Sequence, residues 1–298
     1  MKTERLPKKN IDVAVSFIND VYADTEEFKM VSIEDLEISK GAAVFSGWMG
    51  SELTSLVYGK MLDPNQGGIH WACVKRDFRG ECHSLEPMQA CILELKEKGA
   101  ERIHVSSWLD SPYRRVLKHF ESSGVKVEHG QLTLLLDMQR CVKKAQPIKS
   151  GYKLRSFREG DDQTWAKVKN AIFGSSSTAS DFWTQNFLGV DMRSDFDPQG
   201  FFFAEQEGNP IGICAGLVLH NRNKIGESYL GGIGWTGVVE EHRGSGLGRV
   251  LMMSALNYLD EKGIILTEVG TQFYRTVALN LYESIGFQIY IASFNLLL

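Results

Sequence analysis

The chain has little cysteine, little proline and no long apolar run: five cysteines and seven prolines among 298 residues. Cys73, Cys82, Cys91, Cys141 and Cys214 are scattered, odd in number and without a Cys-x-x-Cys pair. That spacing argues against a disulfide framework or a structural zinc site, and no metal is expected. The longest apolar stretch, Ile211 to Leu219, falls far short of the roughly 20 residues that cross a bilayer. Met1-Lys2-Thr3-Glu4-Arg5 runs into Pro7-Lys8-Lys9 without the apolar segment of a signal peptide. The expectation is a soluble, cytoplasmic chain with no membrane partner. Lysine and arginine (33) are outnumbered by aspartate and glutamate (37), giving a net charge of −4, and no basic block stands out. A nucleic-acid partner is not expected either, because it requires a basic face. Nothing in the sequence reports on oligomeric state.

What is present is ordinary globular composition, 43% hydrophobic and 23% charged. At about 150 residues per domain, the length suggests two domains. Helical and strand patterns alternate, which predicts a mixed α/β architecture. Val13, Ala14, Phe17, Ile18 and Val21 recur at helical spacing, and further helices are expected near 84–98, 112–122, 161–173, 248–262 and 276–284. Met138 to Tyr152 has little to bury, so the predicted division is 1–140, a linker at 141–150, and 151–298. The two halves repeat. At an offset of 164, Trp71, Val74, Arg79, Gly80, Met88, Leu95, Glu97, Lys98 and Gly99 coincide with Trp235, Val238, Arg243, Gly244, Met252, Leu259, Glu261, Lys262 and Gly263. Chance would give only about two matches over such a span.

The second half carries a strand, Ile233 to Val239, then Arg243-Gly244-Ser245-Gly246-Leu247-Gly248 and an amphipathic helix. Alternating glycines let several N–H groups converge on one anion, and the helix N-terminus adds its own. Arg249, in the first helical turn, is unfavourable there unless a bound phosphate neutralises it. No Gly-Lys-Ser/Thr follows, so this is not the Walker pattern. The approach strand, Gly231-Gly232-Ile233-Gly234-Trp235-Thr236-Gly237-Val238, is glycine-rich, as where a ligand comes close to a strand. An extended, amide-bearing molecule such as pantetheine would use that access.

Val238-Val239-Glu240-Glu241-His242-Arg243-Gly244-Ser245-Gly246-Leu247-Gly248, with Leu281-Tyr282-Glu283-Ser284-Ile285-Gly286-Phe287 downstream, resembles the GNAT acetyltransferase superfamily from about Gly151 to Leu298. The N-terminal half resembles a degenerate copy of the same fold, and the tandem order is similar to mycothiol-synthase-like members. The resemblance implies two domains, each a mixed, mostly antiparallel sheet flanked by helices. It implies an N-acetyltransferase moving an acetyl group from acetyl-CoA to a primary amine of a small molecule by direct attack in a ternary complex. Backbone groups of Thr236, Gly237 and Val238 would hold the pantetheine arm. Arg243, Gly244, Ser245, Gly246, Leu247, Gly248 and Arg249 would hold the pyrophosphate of coenzyme A. Tyr282 would protonate the departing thiolate, although the same ring could simply pack. Arg275 stands where the family often has an asparagine, and Gly270 where some members carry a carboxylate. Glu268, two residues earlier on the same strand face, is the candidate base.

Two other readings stay open: a non-catalytic acyl-CoA-binding or regulatory module, and a transferase with a different acyl donor or a protein acceptor. Asp181, Phe182, Trp183, Glu227 and Tyr229 are placed on the acceptor side by the resemblance. His242 and His70 are expected to pack rather than to catalyse. The first half is expected to lack a cofactor loop. Cys82 and Ser84 replace Gly246 and Gly248, Glu81 and Glu86 add negative charge, and Phe120 replaces Tyr282. Ser84 is further expected to cap the following helix with its hydroxyl.

Overall fold

A computed structural model describes residues 1–23, 32–34, 36, 41–79, 81–108, 120, 125–141, 147–184, 186–187, 190–191, 196–220 and 228–298. In chain order the strands begin with β1 (Lys2–Arg5), β2 (Ala43–Met49), β3 (Glu52–Asp63), β4 (Gln66–Val74), β5 (Arg102–Trp108) and β6 (Lys126–Asp137). Next come β7 (Tyr152–Ser156), β8 (Asn186–Phe187), β9 (Val190–Asp191), β10 (Phe201–Gln206) and β11 (Asn209–Leu219). The series ends with β12 (Leu230–Val238), β13 (Leu266–Gln272) and β14 (Gln288–Leu297). The helices are α1 (Ile11–Tyr22), α2 (Leu85–Glu97), α3 (Asp161–Phe173), α4 (Ala179–Thr184), α5 (Leu247–Glu261) and α6 (Thr276–Ile285). The helix expected at 112–122 lies outside the described residues apart from Phe120, as do Gly80, Glu227 and residues 142–146 of the expected linker.

The chain forms two compact units, and neither is contiguous in sequence. The first comprises 1–133, 271–275 and 289–298; the second comprises 134–270 and 276–288. In the first, β1 to β4 run antiparallel to their neighbours. β4 pairs parallel with β5 over Gln66–Ile69. β5 is then completed by β14, antiparallel, from Ile291 against Trp108 to Leu297 against Arg102. Ala14, Phe17, Ile18 and Val21 of α1 bury against Val44, Leu56 and Tyr58, as their spacing predicts. Each fully buried Leu or Ile side chain contributes about 1.5–3 kcal/mol. On α2, Met88, Cys91, Ile92 and Leu95 are buried. Ser84 precedes this helix but makes no capping bond with its side chain, contrary to the expectation. Its backbone already has helical angles, φ −81° and ψ −12°, whereas a capping side chain works from an extended residue.

The second unit repeats the plan. β7, β10, β11 and β12 are antiparallel, and β12 pairs parallel with β13 over Gly231–Ile233. The Met138 N–H, just past β6, donates to the Ile265 carbonyl (2.9 Å). The offset of 164 holds at the level of register: Gly68 faces His104 in one unit and Gly232 faces Glu268 in the other. Gly67, Gly68 and Ile69 are themselves repeated as Gly231, Gly232 and Ile233. α3 starts at Asp161 because that carboxylate accepts from Arg158 N (2.6 Å) and Arg155 Nη2 (2.9 Å). Arg155 also donates through Nε to Glu205 (2.5 Å), so one guanidinium ties β7, α3 and β10 together. α5 presents Leu251, Met252, Ala255, Leu256 and Leu259, all fully buried, to the sheet. A contiguous division at 141–150 does not describe these units. Alternation predicts that 288–297 is a strand but carries no information on which sheet edge it joins.

Candidate functional site

The site of interest lies in the second unit, where β12 and β13 part. Their pairing stops at Ile233 and Val269, yet β12 continues to Val238 and β13 to Gln272. A bulge falls just beyond: Ile213 faces Gly237 and Ala215 faces Gly234, leaving Trp235 and Thr236 opposite Cys214. Trp235 has φ 47°, a left-handed backbone that costs a non-glycine residue about 1–3 kcal/mol and persists only when packing enforces it. Here the ring stands 5.4 Å from Trp165 and 5.8 Å from Phe201, inside the buried aromatic core. Thr236 Oγ1 lies 3.2 Å from the Cys214 thiol, and burial pushes that thiol up to about 12.

After Val238 the chain makes a short helical turn, Glu240–His242, and Arg243 Nε donates back to the Val238 carbonyl (3.2 Å). Ser245 Oγ donates to the His242 carbonyl (2.6 Å). Gly244 and Gly246 have φ 73° and 89°, and a Cβ at either would meet nothing within 4 Å. The loop is therefore left-handed and open on that side, and it delivers α5 with Gly246 at its cap position. The first N–H groups of a helix have no partner within the helix. Arg249 Nη1 donates to Ser284 Oγ (2.7 Å) and Nη2 to the Ser284 carbonyl (3.4 Å). Its Nε is buried and has no hydrogen-bond partner among the described residues. These features, open left-handed glycines and an orphaned buried cationic donor, fit an anionic ligand.

Two strand glycines serve a purpose other than the one expected. A Cβ on Gly237 would sit 2.5 Å from Ile172 Cγ2, and one on Gly231 would sit 2.8 Å from Thr267 Oγ1 and 2.9 Å from Ile264 Cγ2. The protein's own side chains fill both spaces. Tyr282 is 5% exposed on α6, its ring 5.9 Å from Phe287. Glu268 is 8% exposed on β13, one residue before pairing ends.

On the expected acceptor side, several residues are committed locally. Asp181 accepts from Thr178 N (2.5 Å) and Thr178 Oγ1 (3.0 Å), bonds that hold its carboxyl below the usual range. Phe182 is fully buried in the aromatic core, and Trp183 Nε1 donates to Asp162 (2.9 Å). The Tyr229 ring packs edge-on to His220 at 4.6 Å. His242 packs edge-on against Tyr152, and His70 stands 6.2 Å from Tyr58, its imidazole pushed down by burial. Sequence reasoning missed Cys214, Ser284 and Asn170. The Asn170 side-chain oxygen accepts from Ser175 Oγ and Ser177 N (both 2.7 Å) while its Nδ2 donates to Ser177 O (2.8 Å), fixing the turn after α3. No spacing rule links these residues to their partners.

Comparison with known proteins adds to this geometry. Residues 168–287 match the model of the Acetyltransferase (GNAT) family. A mycothiol acetyltransferase of Thermobispora bispora is 30% identical over 144 residues, 48% of this chain and 48% of that protein. The matched segment thus spans about half the length of that relative. The mycothiol acetyltransferase of Acidimicrobium ferrooxidans is 27% identical over 225 residues, 72% of this chain and 68% of that protein. Among solved structures, a GCN5-related N-acetyltransferase from Sphaerobacter thermophilus aligns over 99% of this chain and 94% of that one, with TM-score 0.48 and 16% identity.

Proposed function

We propose, from the premise that residues 168–287 form a domain of the GNAT acetyltransferase family, that the protein transfers an acetyl group from acetyl-CoA to a primary amine of a small molecule. The observation that carries this reading is the open loop Arg243–Gly248 running into α5, placed at the end of a strand whose far edge is unpaired beyond Ile233. Backbone groups of Thr236, Gly237 and Val238 line that edge and suit an amide-bearing arm. The N–H groups of Gly244 to Gly248, together with Arg249, suit a pyrophosphate. Relatives named mycothiol acetyltransferase support a small-molecule acceptor.

Acetyl-CoA would supply the thioester whose C–S bond breaks as the acceptor's C–N bond forms. Tyr282 gives its phenolic proton to the leaving sulfur, and Glu268 takes the proton that the attacking amine loses. A thiol-release assay with acetyl-CoA over a panel of primary amines tests the proposal. Turnover with at least one amine, dependent on the Arg243–Gly248 loop, is the expected outcome. One observation favours a second reading: the Tyr282 ring is buried and packs on Phe287, as in a module that binds acyl-CoA without catalysis. Tight coenzyme A binding with no turnover on any amine would select that reading.

A further inference from the structure

Arg249 lies in the first turn of α5, the end at which a helix dipole disfavours a cation. The structure offsets this from outside the helix. Both terminal nitrogens of its guanidinium reach Ser284, one to the hydroxyl (2.7 Å) and one to the backbone carbonyl (3.4 Å). The Ser284 hydroxyl in turn donates to the Leu281 carbonyl (2.7 Å). Ser284 belongs to the last turn of α6, where carbonyls lack helical partners and the dipole is negative. The two turns also touch: a Cβ on Gly248 would lie 3.7 Å from Leu281 Cδ2. Tyr282 stands between Leu281 and Ser284 in sequence, so both acceptors of this bridge flank it.

A guanidinium is planar and its donors are fixed relative to one another. Once Nη1 and Nη2 are docked on Ser284, the direction of Nε is set, and that donor is buried and unused among the described residues. We infer that Arg249 and Ser284 form a positioning bridge through which an anion in the Gly244–Gly248 loop, by accepting from Nε, sets the placement of Tyr282. The inference rests on the proposed function, in which the loop holds pyrophosphate and Tyr282 is the acid. Ser284 is bonded to Arg249 and the Leu281 carbonyl, and in this inference it acts through the helix that carries Tyr282.

The test uses the full chain with coenzyme A and acetyl-CoA. Ser284→Ala is expected to lower kcat roughly 10-fold, as small misplacements of a reacting group do, while the KM for acetyl-CoA moves less than about 2-fold. The alkaline limb of the kcat–pH profile should shift, and Ser284→Thr, which keeps the hydroxyl, should restore both. Arg249→Lys keeps the charge without the planar fork and should fail to restore kcat. A second readout does not depend on turnover: coenzyme A should increase amide-exchange protection at residues 282–285 in the wild type but not in Ser284→Ala. Wild-type chain that binds no coenzyme A would overturn both readings. Binding with equal protection of α6 in wild type and Ser284→Ala, or an unchanged kcat and pH profile in that variant, would overturn this one alone.

Discussion

Gly246 and Tyr282 carry opposite kinds of demand, one on the backbone and one on a side-chain proton. At φ 89°, a valine in place of Gly246 suffers left-handed strain of roughly 1–2 kcal/mol and projects two methyl groups into the open side of the loop. Gly246→Val is therefore expected to abolish coenzyme A binding by calorimetric titration. Gly50 is the control, since it has φ 61° with nothing within 4 Å of its Cβ and lies in the other unit. Gly50→Val should cost similar stability and leave binding intact. For Tyr282, loss of the phenol in Tyr282→Phe should reduce turnover roughly 10²- to 10⁴-fold with cofactor affinity nearly unchanged. An unaltered rate would make the ring a packing residue. The glycine alternation around Gly246 is a local pattern that can be read from the sequence, whereas Tyr282 is singled out only by the resemblance of its segment to the GNAT superfamily. The pairing of Arg249 with Ser284 is not legible there, since the two are 35 residues apart and nothing in either residue's neighbours encodes the other.

Between elements, charge does work that periodicity cannot reveal. Helix α1 was readable to its ends because its stripe is purely apolar, whereas α2 is held to β1 by Arg5 Nε and Nη2 on Glu94 (2.6 and 3.0 Å), joined by Lys98 Nζ (2.6 Å). The Arg5 bond, with help from Lys98, holds the Glu94 carboxyl below its ordinary range. A depressed carboxylate contributes stability that is present above the unfolded pKa and lost as pH falls through the folded one. The thermal midpoint of the first unit should accordingly fall on acidification below the ordinary carboxylate range. Glu94→Gln should be less stable at neutral pH and show a shallower decline. Equal slopes for the two proteins would remove this pair from the acid response. Ser84 marks the converse limit: serine before an apolar run suggests a cap, but the turn from Cys82 (φ 63°) had already set its backbone to helical angles.

At the scale of the whole chain, the repeat predicts one active half. Residues 74–79 of the first unit follow a similar path, with a short turn at Arg76–Phe78 and Arg79 Nε donating to the Val74 carbonyl (3.3 Å), as Arg243 does to Val238. What differs is its filling. His83 is buried where Leu247 stands in the repeat, with its ring nitrogens 3.3 Å from Thr54 Oγ1 and 3.2 Å from Glu81. A carboxylate at that place repels a pyrophosphate, so equilibrium titration is expected to find one coenzyme A per chain. A second site of comparable affinity, lost in Arg79→Ala, would overturn this. The non-contiguous make-up of the units gives another test: truncation before Gln288 removes the antiparallel partner of β5 and leaves it only β4. Ile103 and Val105 amides, far from the cut in sequence, should lose exchange protection.

That same make-up constrains the order in which the molecule can come into being. Synthesis runs from the N-terminal side, and most multidomain chains can finish their leading domain while the rest is still on the ribosome. Here β5, which ends at Trp108, emerges long before its neighbour β14, which begins at Gln288. Throughout that interval the nascent first unit presents an unpaired strand edge, the kind that recruits other chains. Its sheet closes only after β14 has been made. A stop codon or frameshift between the two strands would thus leave the first sheet open too, so that the two units mature together.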